Sequence, residues 1–402
     1  MKRAVTESLK EIHQPINLEK IVSQLFDYCK KLNWAGYDPY DALNSRLFMA
    51  MPFLNFRLAR LALTQGVKRC PVNLRPLLFV PKSSSSKCIA LFLSAFSRLA
   101  GCGWAEAESL IAPMADKLIS LRSPGLALPG WGYNFDWQQR FALIPKDSPN
   151  IICTTFSANA LIEAYERKAE NGWIEAAVGA ADFILGNLFR KEGENRAHFC
   201  YTLIARDEVH NANLLGAAFL SRVARLTGEK KYMEPALAAA RWSVKCQHKD
   251  GSWPYGESPT QQWIDNFHTG FNLVALRRIR DHAGTAEFDP SIRRGFEFFK
   301  AHFFREDGAP KYYYNATYPI DIHSAAQSII TFVEFADLGK DNIDLARSAL
   351  NWSVANMWDR RGFFYFQKRP HFTVRTSFMR WSQAWMLLAL ATLLLNGGAD
   401  DI

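Results

Sequence analysis

Apolar residues recur along residues 154–358 at the three- and four-residue spacing of amphipathic helices. They form paired runs, and Gly or Asn stands where most of these runs would end, as at the carboxyl end of many helices. The pairs are 154–170 with 173–189, 211–226 with 232–247, 267–282 with 290–304, and 323–338 with 342–358. The pattern predicts four consecutive helical hairpins.

The hairpins repeat at a nearly constant period. An Asn or Gln leads an apolar run at Asn159, Asn213, Asn272, Gln327 and Gln383, at intervals of 54, 59, 55 and 56 residues. A fixed period of this length is typical of repeat architectures, in which each unit needs its neighbours to bury its apolar face. We therefore expect one domain, residues 1–402, without an internal linker.

The amino-terminal third is less regular. Helices are predicted for residues 18–32, 40–64, 87–100 and 104–121, and a loop for residues 71–86. Six helices then begin at corresponding places, near Lys87, Thr154, Asn211, Phe267, His323 and Phe378. We expect an all-α fold, an (α/α)6 toroid, with residues 1–85 packed on the ring as irregular helices and a loop.

One junction between hairpins resembles a known repeat. The segment Gln247-x-x-x-Gly251-x-Trp253 is similar to the QW-type repeat of squalene cyclases and their relatives. That resemblance implies inner helices around a central cavity and outer helices around them. The acid-rich DxDD signature of class II terpene cyclases is absent, and no cysteine stands beside the polar junctions in sequence.

Composition narrows the class of protein. The 49% apolar content excludes disorder, and seven scattered cysteines without a C-x-x-C argue against a zinc ribbon or disulfide framework. We expect no cofactor and no metal. Residues 1–15 contain no apolar stretch of a secretory signal, and the longest apolar run, 384–395, falls short of the roughly 20 residues that span a bilayer. The expectation is a soluble, cytoplasmic protein without a transmembrane segment.

Charge points to an acidic partner. Lysine and arginine number 48 against 39 acids, a net charge of +9. Six of these cations lie within residues 359–380, as a solvated face or a binding site. Recognised nucleic-acid modules are missing, so nucleic acid is not expected. The charge agrees with an acidic oligosaccharide or polysaccharide as the partner but does not by itself identify it.

Polar and aromatic side chains gather before, or in the first turn of, the predicted inner helices, where one mouth of the ring would lie. The candidates for substrate contact are Trp131, Tyr133, Asn134, Asp136, Asn211, Trp253, Glu257, Asn272, Tyr318, Asp321, His323, Arg380 and Trp381. The same junctions contain Trp137, Tyr312 and Tyr313. Each polar residue could merely cap a helix, but the set together predicts a ligand site, and aromatic faces mixed with amides, acids and histidines suit a sugar.

Three stretches carry a further resemblance: 36–45 (GYDPYDALNS), 130–138 (GWGYNFDWQ) and 263–271 (WIDNFHTGF). They are similar to six-hairpin toroid proteins encoded with bacterial surface-polysaccharide biosynthesis. The resemblance implies a role in that pathway, with peripheral association with a polysaccharide assembly complex as a further expectation. Related toroids include uronate polysaccharide lyases, glucuronyl C5-epimerases and inverting glycosidases.

The leading hypothesis is an epimerase or lyase that removes the proton α to a uronate carboxylate, which requires a base, an acid and a group that neutralises the carboxylate. Asp265 and His268 share one face of a predicted helix with Asn272. The catalytic candidates are His268 or His210 as base, Tyr255, Tyr314 or Tyr318 as proton donor, and Asp265. Asn211, Asn272 or Arg380 would hold the carboxylate.

Two alternatives stay open. Inverting glycoside hydrolysis needs two carboxyl groups about 6.5–9.5 Å apart across the cavity, for which Asp136, Glu257, Asp265 and Asp321 are candidates. The other alternative is a non-catalytic protein that binds glycans or assists their assembly.

Overall fold

The computed structural model describes residues 16–139, 142–193, 196–204 and 208–397. The predicted absence of a secretory signal concerns residues 1–15, which lie outside the described residues. The helices, in chain order, are α1 (Leu18–Lys31), α2 (Arg46–Met49), α3 (Arg57–Arg69), α4 (Ser86–Gly101), α5 (Ala105–Ser120), α6 (Ile151–Lys168), α7 (Asn171–Asn187), α8 (His210–Thr227), α9 (Lys230–Lys245), α10 (Asn266–Ala283), α11 (Asp289–His302), α12 (Ile322–Glu334), α13 (Asn342–Met357) and α14 (Trp385–Gly397).

These helices form a ring of six hairpins, which confirms the predicted all-α toroid. The inner helices are α4, α6, α8, α10, α12 and α14, each packed on the next around the ring. The outer helices are α5, α7, α9, α11, α13 and α1. Because each outer helix returns the chain to the same side, the amino-terminal ends of all six inner helices meet at one mouth.

Helix α1 closes the ring by packing as the outer partner of α14. It buries Val22, Leu25 and Phe26, and Asn17 caps its amino terminus by accepting a hydrogen bond from the Lys20 amide. The amino-terminal segment is thus partly a component of the ring rather than only a layer on it. The extent of the single domain over residues 1–402 stays a prediction.

The predicted helix over residues 40–64 is wrong. A 3-10 turn at Asp41–Asn44, the one-turn α2 and a second 3-10 turn at Pro52–Leu54 precede α3, which begins only at Arg57. Pro52 has no amide hydrogen to donate and its ring restricts the preceding residue, so a continuous helix cannot pass through it.

Short antiparallel strand pairs connect several hairpins. The pairs are β1 (Trp137–Gln138) with β2 (Leu143–Ile144), β3 (Phe189–Glu192) with β4 (Arg196–Phe199), and β6 (Trp358–Asp359) with β7 (Phe363–Phe364). Strand β8 (Gln367–Lys368) lies between β5 (Ile320–Asp321) and β9 (Thr373–Val374). These pairs fix the loops that precede the inner helices.

The QW-like segment joins two outer helices. The Gln247 side-chain amide donates to the Gly251 carbonyl at 2.9 Å and to the Ser291 carbonyl, at the start of α11, at 3.0 Å. The Trp253 indole donates to the Ser243 carbonyl of α9 at 2.9 Å, and the ring is 1% exposed. Its role in this chain is therefore structural.

The apolar run 384–395 lies almost entirely in α14, which is buried against α1, α4 and α12. An inner helix has no solvent-facing side, which explains why this run lacks polar residues apart from Thr392. Among the helices of the described residues, none is long and apolar enough to cross a membrane.

Candidate functional site

A cavity of about 380 Å³ opens at the mouth where the inner helices begin. Its wall combines residues from the first turns of these helices with residues from the loops before them, and its volume suits a small carbohydrate. Aromatic side chains make up much of the wall: Tyr40, Tyr133, Phe135, Trp137, Tyr201, Tyr255, Trp263, Phe267, Phe271, Tyr312, Tyr313 and Trp381. The wall also contains five polar or charged side chains that are not Phe, Tyr or Trp: Lys87, Asn211, His268, His323 and Arg380.

His268 is held by Asp265, the amino-terminal cap of α10. One carboxylate oxygen of Asp265 accepts from the His268 amide at 3.0 Å, and the other lies 2.6 Å from Nδ1 of the ring. The second oxygen also accepts from the Trp263 indole at 3.0 Å, and Asp265 is 2% exposed. An ionised carboxylate accepts only, so Nδ1 carries the hydrogen and Nε2 of the neutral ring is left with the lone pair of a base.

His323 lies in the same wall, packed between two aromatic rings. Its ring centroid is 4.5 Å from that of Phe267 and 4.6 Å from that of Trp385, at interplanar angles of 12° and 28°. Among the described residues neither ring nitrogen has a hydrogen-bond partner, although the residue is only 2% exposed. Burial and the nearby charges of Lys87 and Arg380 hold the pKa of His323 well below its usual range. A neutral, unpartnered imidazole at a cavity wall is available to a ligand.

The two histidines are neighbours. Phe267 contacts both rings, with centroid distances of 4.2 Å to His268 and 4.5 Å to His323. Phe271 also lies near both, at 6.3 and 5.9 Å. The cavity therefore presents two imidazoles to one bound molecule.

Arg380 enters the wall from a π-helical turn, Met379–Ala384, that leads into α14. Its Nη2 donates to Asp38 at 2.9 Å and its Nε donates to the other oxygen of the same carboxylate. Both side chains are at most 10% exposed. Although burial opposes the charge, Asp38 raises the pKa of Arg380. This pairing leaves Nη1 to reach an oxygen of a ligand.

Lys87 is the second cation of the wall. It is 5% exposed, and its Nζ lies 4.5 Å from the ring centroid of Phe156 and 5.3 Å from that of Trp385. Burial, with a smaller effect of Arg380, lowers the pKa of Lys87 to about 7. Among the described residues no carboxylate forms an ion pair with it.

The structure brings seven of the sequence-predicted residues to the cavity: Tyr133, Asn211, Tyr255, His268, His323, Arg380 and Trp381. Two more support them from behind, Asp265 through His268 and Asp321 through the Trp381 indole, which donates to Asp321 at 2.9 Å. The carboxyl of Asp321 is buried, and burial raises its pKa.

The remaining candidates do not line this cavity. Trp131 donates its indole hydrogen to the Leu118 carbonyl, and Trp253 lies under the outer helices. The others are Asn134, Asp136, His210, Glu257, Asn272, Tyr314 and Tyr318. The positions of these residues do not support a binding or catalytic role. The side-chain amide oxygen of Asn272 is nevertheless buried without a described hydrogen-bond partner.

His210 faces the outer helices instead. Its Nε2 lies 2.8 Å from the Glu257 carboxylate and its Nδ1 lies 3.2 Å from the Ser243 hydroxyl. Cys246 joins this pair, and the possible ligand atoms of the three lie within 4.8 Å of one another. These are the described residues that could hold a metal. No cysteine stands beside the polar junctions in sequence, but the fold brings Cys246 next to His210 and Glu257. Burial and Glu257 raise the pKa of Cys246 to about 12, which opposes the thiolate that a metal requires.

No carboxyl group belongs to the described part of the cavity wall. Asp265 and Asp321 use their oxygens on neighbouring donors, Asp136 accepts from the Lys146 amide, and Glu257 binds His210. The pair of carboxyl groups that inverting hydrolysis requires is therefore not found across the cavity in the described residues.

The wall also contains residues outside the predicted site set. Trp263 lies in the 263–271 stretch, and Tyr40 and the supporting Asp38 lie in the 36–45 stretch, so both stretches held a signal in sequence. Lys87 could have been found from its place in the first turn of an inner helix. Tyr201 lies between β4 and α8, nine positions before the helix, which is close to the spacing of Tyr255 and Tyr312 before theirs, so the sequence contained a signal for this residue too.

A second cavity, of about 790 Å³, lies at the opposite mouth, where the inner helices end. Leu215 and Phe271 border both cavities. Five arginines line the second one, and two glutamates pair with some of them: Arg98, Arg167, Arg222, Arg225, Arg278, Glu163 and Glu166. Cations at the carboxyl ends of helices offset the negative end of the helix dipole, which gives this charge a structural explanation.

His282 in that second cavity is expected to make stability depend on pH. Burial, then Arg222, Arg278 and Arg225, lower the pKa of His282 to about 4. An unfolded histidine titrates at about 6.5, so as the pH falls the unfolded chain binds the proton first. The contribution of His282 is thus complete above about pH 6.5 and is lost toward the folded pKa of about 4. Urea unfolding of the wild type and His282→Gln at pH 7 and near pH 4.5 should show their difference shrinking in acid; a constant difference would contradict this.

No protein-family model and no curated protein matches the chain. Solved structures do match. A cellobiose 2-epimerase from Bacillus thermoamylovorans has 10% identity and a TM-score of 0.62 over 78% of this chain and 87% of its own. A sugar epimerase from a ruminal bacterium has 13% identity and a TM-score of 0.62, with coverages of 79% and 89%. An unsaturated glucuronyl hydrolase specific for heparin has 10% identity and a TM-score of 0.58, with coverages of 76% and 85%. At these identities the likeness shows a shared fold.

Proposed function

We propose that this chain is a carbohydrate epimerase that removes and returns the proton on the carbon next to a carbonyl group. The observation that carries the proposal is the pair of imidazoles in one cavity, His268 backed by Asp265 and His323 without any described partner. Proteins named as sugar epimerases share the fold, which supports the proposal of an epimerase.

The base would be Nε2 of His268. Asp265 keeps the hydrogen on Nδ1 and stabilises the imidazolium that forms when Nε2 takes the proton. The electron pair of the broken C–H bond moves toward the carbonyl group, where Arg380 offers a fixed positive charge. His323, a neutral imidazole, would relay a proton from water: one ring nitrogen gives its hydrogen to the opposite face of that carbon while the other nitrogen takes one from water. His268 then releases its proton to solvent, and the carbon is inverted.

The aromatic wall would hold the sugar ring. Tyr255 and Trp263 are stacked, with centroids 4.5 Å apart at 14°, and Tyr255 lies 4.6 Å from the His268 ring. Such a platform packs on the C–H face of a pyranose beside the base. The side-chain oxygen of Asn211, which has no described partner, would accept from a sugar hydroxyl.

A second candidate is the uronate reaction inferred from the sequence, in which the carbonyl is the carboxylate of an acidic glycan. It is favoured by Arg380 and Lys87 in a described wall that contains no carboxylate. Lyase chemistry, a place in polysaccharide biosynthesis, association with an assembly complex and a cytoplasmic location rest on the sequence alone and stay predictions.

Solvent exchange tests the proposal. The protein is incubated in D2O with D-glucose, D-mannose, cellobiose and D-glucuronate-containing oligosaccharides, and proton NMR follows each C–H signal. Loss of the C2 signal of a reducing sugar, with appearance of its epimer, supports the proposal, and exchange at C5 of a uronate supports the second candidate. An unsaturated product would identify a lyase. Binding of these sugars without exchange at any carbon would overturn the proposal in favour of a non-catalytic glycan-binding protein.

A further inference from the structure

The proton transfers proposed for His268 and His323 give no role to Lys87, which lies beside them. It is the second residue of α4, buried in the ring interior, and its side chain reaches the cavity wall. Its Nζ lies 5.3 Å from the Trp385 ring and 6.0 Å from the Phe271 ring, and His323 contacts the same two rings at 4.6 and 5.9 Å. Lys87 and His323 therefore approach the same corner of the cavity.

A buried ammonium needs a counter-charge, and the described residues supply no carboxylate for it, only the weaker attraction of aromatic rings. Asp38, the carboxylate whose charge acts on Lys87, is already paired with Arg380. Transfer of an unpaired ammonium into such a site is costly, and the lysine responds by losing its proton. Consistent with this, burial lowers the pKa of Lys87 to about 7. Much of this lysine is then a free amine at neutral pH.

The surroundings favour a reaction of this amine over the binding of an anion. Phe156, Phe271 and Trp385 surround Nζ with aromatic rings, whose faces are electron-rich. An oxyanion beside Nζ would be repelled by those faces, whereas the uncharged carbonyl group of an aldehyde would not. A neutral lysine in a hydrophobic pocket is the usual form of a Schiff-base nucleophile.

We propose that the ε-amine of Lys87 forms a covalent imine with the open-chain carbonyl of a reducing sugar, as the electron sink for the proton transfer at the adjacent carbon. This inference rests on the proposed function, and it narrows the substrate class to sugars with a free aldehyde or ketone. It disfavours an internal uronate of a polymer, which has no such carbonyl.

The steps balance without an oxidant or reductant. Nζ attacks the carbonyl carbon, the carbinolamine takes up a proton from solvent and loses water, and a protonated C=N bond remains. His268 takes the proton from the neighbouring carbon, the C–H electron pair forms the C=C bond of an enamine, and the C=N π electrons move to nitrogen. Return of a proton to that carbon restores the imine, and water releases the epimer and the free amine.

Reductive trapping tests the imine directly. The wild type is incubated at pH 7 with glycolaldehyde or cellobiose and sodium cyanoborohydride, and peptide mapping by mass spectrometry locates the secondary amine. An ordinary lysine of pKa about 10.4 has a neutral fraction roughly 10³-fold smaller than one titrating near 7. Lys87 is therefore expected to be modified before every other lysine. Modification that is no faster at Lys87 than at surface lysines would overturn the proposal.

Two variants separate covalent from electrostatic roles. Lys87→Arg keeps a cation and Lys87→Met keeps the chain length without charge, so an imine mechanism predicts loss of C2 exchange in both. Retained exchange in Lys87→Arg would overturn the imine and indicate an anion-binding cation. Trapping at Lys87 with no exchange in any sugar would support the reactive amine and overturn the proposed epimerase. Because trapping uses the wild type, poor folding of a variant does not affect it.

Discussion

Replacement of His268 by Gln is expected to lower kcat for solvent exchange by about 10²–10⁴-fold, the usual contribution of a general base. Gln keeps a polar side chain of similar size beside Asp265 but has no nitrogen that can take a proton at neutral pH. Because His268 is partly exposed in the wall and Asp265 would still cap α10, the fold should be retained. Deuterium exchange measures the loss, and thermal unfolding followed by circular dichroism checks the fold.

A parallel His210→Gln variant distinguishes the two bases that the sequence offers. His210 contacts Glu257 and Ser243 away from the cavity, so its replacement should affect stability more than exchange. His302→Gln, on an outer helix, serves as the control for loss of a histidine as such. Equal losses of exchange in His210→Gln and His268→Gln would show that the base is assigned to the wrong residue.

Removal of Asp38 is expected to produce the largest loss of stability. Asp38→Ala leaves the Arg380 guanidinium, 5% exposed, without its counter-charge. Breaking a buried ion pair from one side costs about 3–5 kcal/mol, because the remaining charge stays desolvated. Urea unfolding measures the change in the free energy of unfolding. Exchange activity should also fall, since Arg380 would no longer be fixed in the wall.

An exposed ion pair provides the matched control. Asp341 pairs with Lys300 at 2.9 Å, and its side chain is 62% exposed. Exposed pairs of this kind contribute about 0–1 kcal/mol, so Asp341→Ala should change the free energy of unfolding little. A loss of under about 1 kcal/mol for Asp38→Ala as well would mean that Arg380 does not depend on Asp38.

The ring could be predicted because its cause is periodic. Each hairpin repeats one apolar pattern, and the nearly constant interval from Asn159 to Gln383 reveals the repeat without any knowledge of contacts. The break at Pro52 and the pairing of α1 with α14 depend on local backbone limits and on a contact across the whole chain. Periodicity carries no signal for either, which is why the amino-terminal third was predicted least well.

The site could be predicted only in part, because residues at the junctions point either into the cavity or toward the outer helices. Trp131, Trp253 and Trp263 all lie in the loops before inner helices, yet the first two pack on outer helices while Trp263 lines the cavity. The path of each loop decides whether the tryptophan side chain points into the cavity or toward the outer helices, and composition does not encode that path. Lys87 was overlooked for a related reason, since a lysine at a helix start usually faces solvent.

The closure of the ring by α1 and α14 affects how the chain acquires its cavity. Asp38 and Arg380 are 342 positions apart, and the Met379 amide donates to the Tyr37 carbonyl at 3.0 Å. Contacts of such separation form late, because the loop between them must first be ordered. During synthesis, the apolar faces of α1 and α4 stay uncovered until α14 emerges, so the ring around the cavity closes only when this carboxyl-terminal helix has been made.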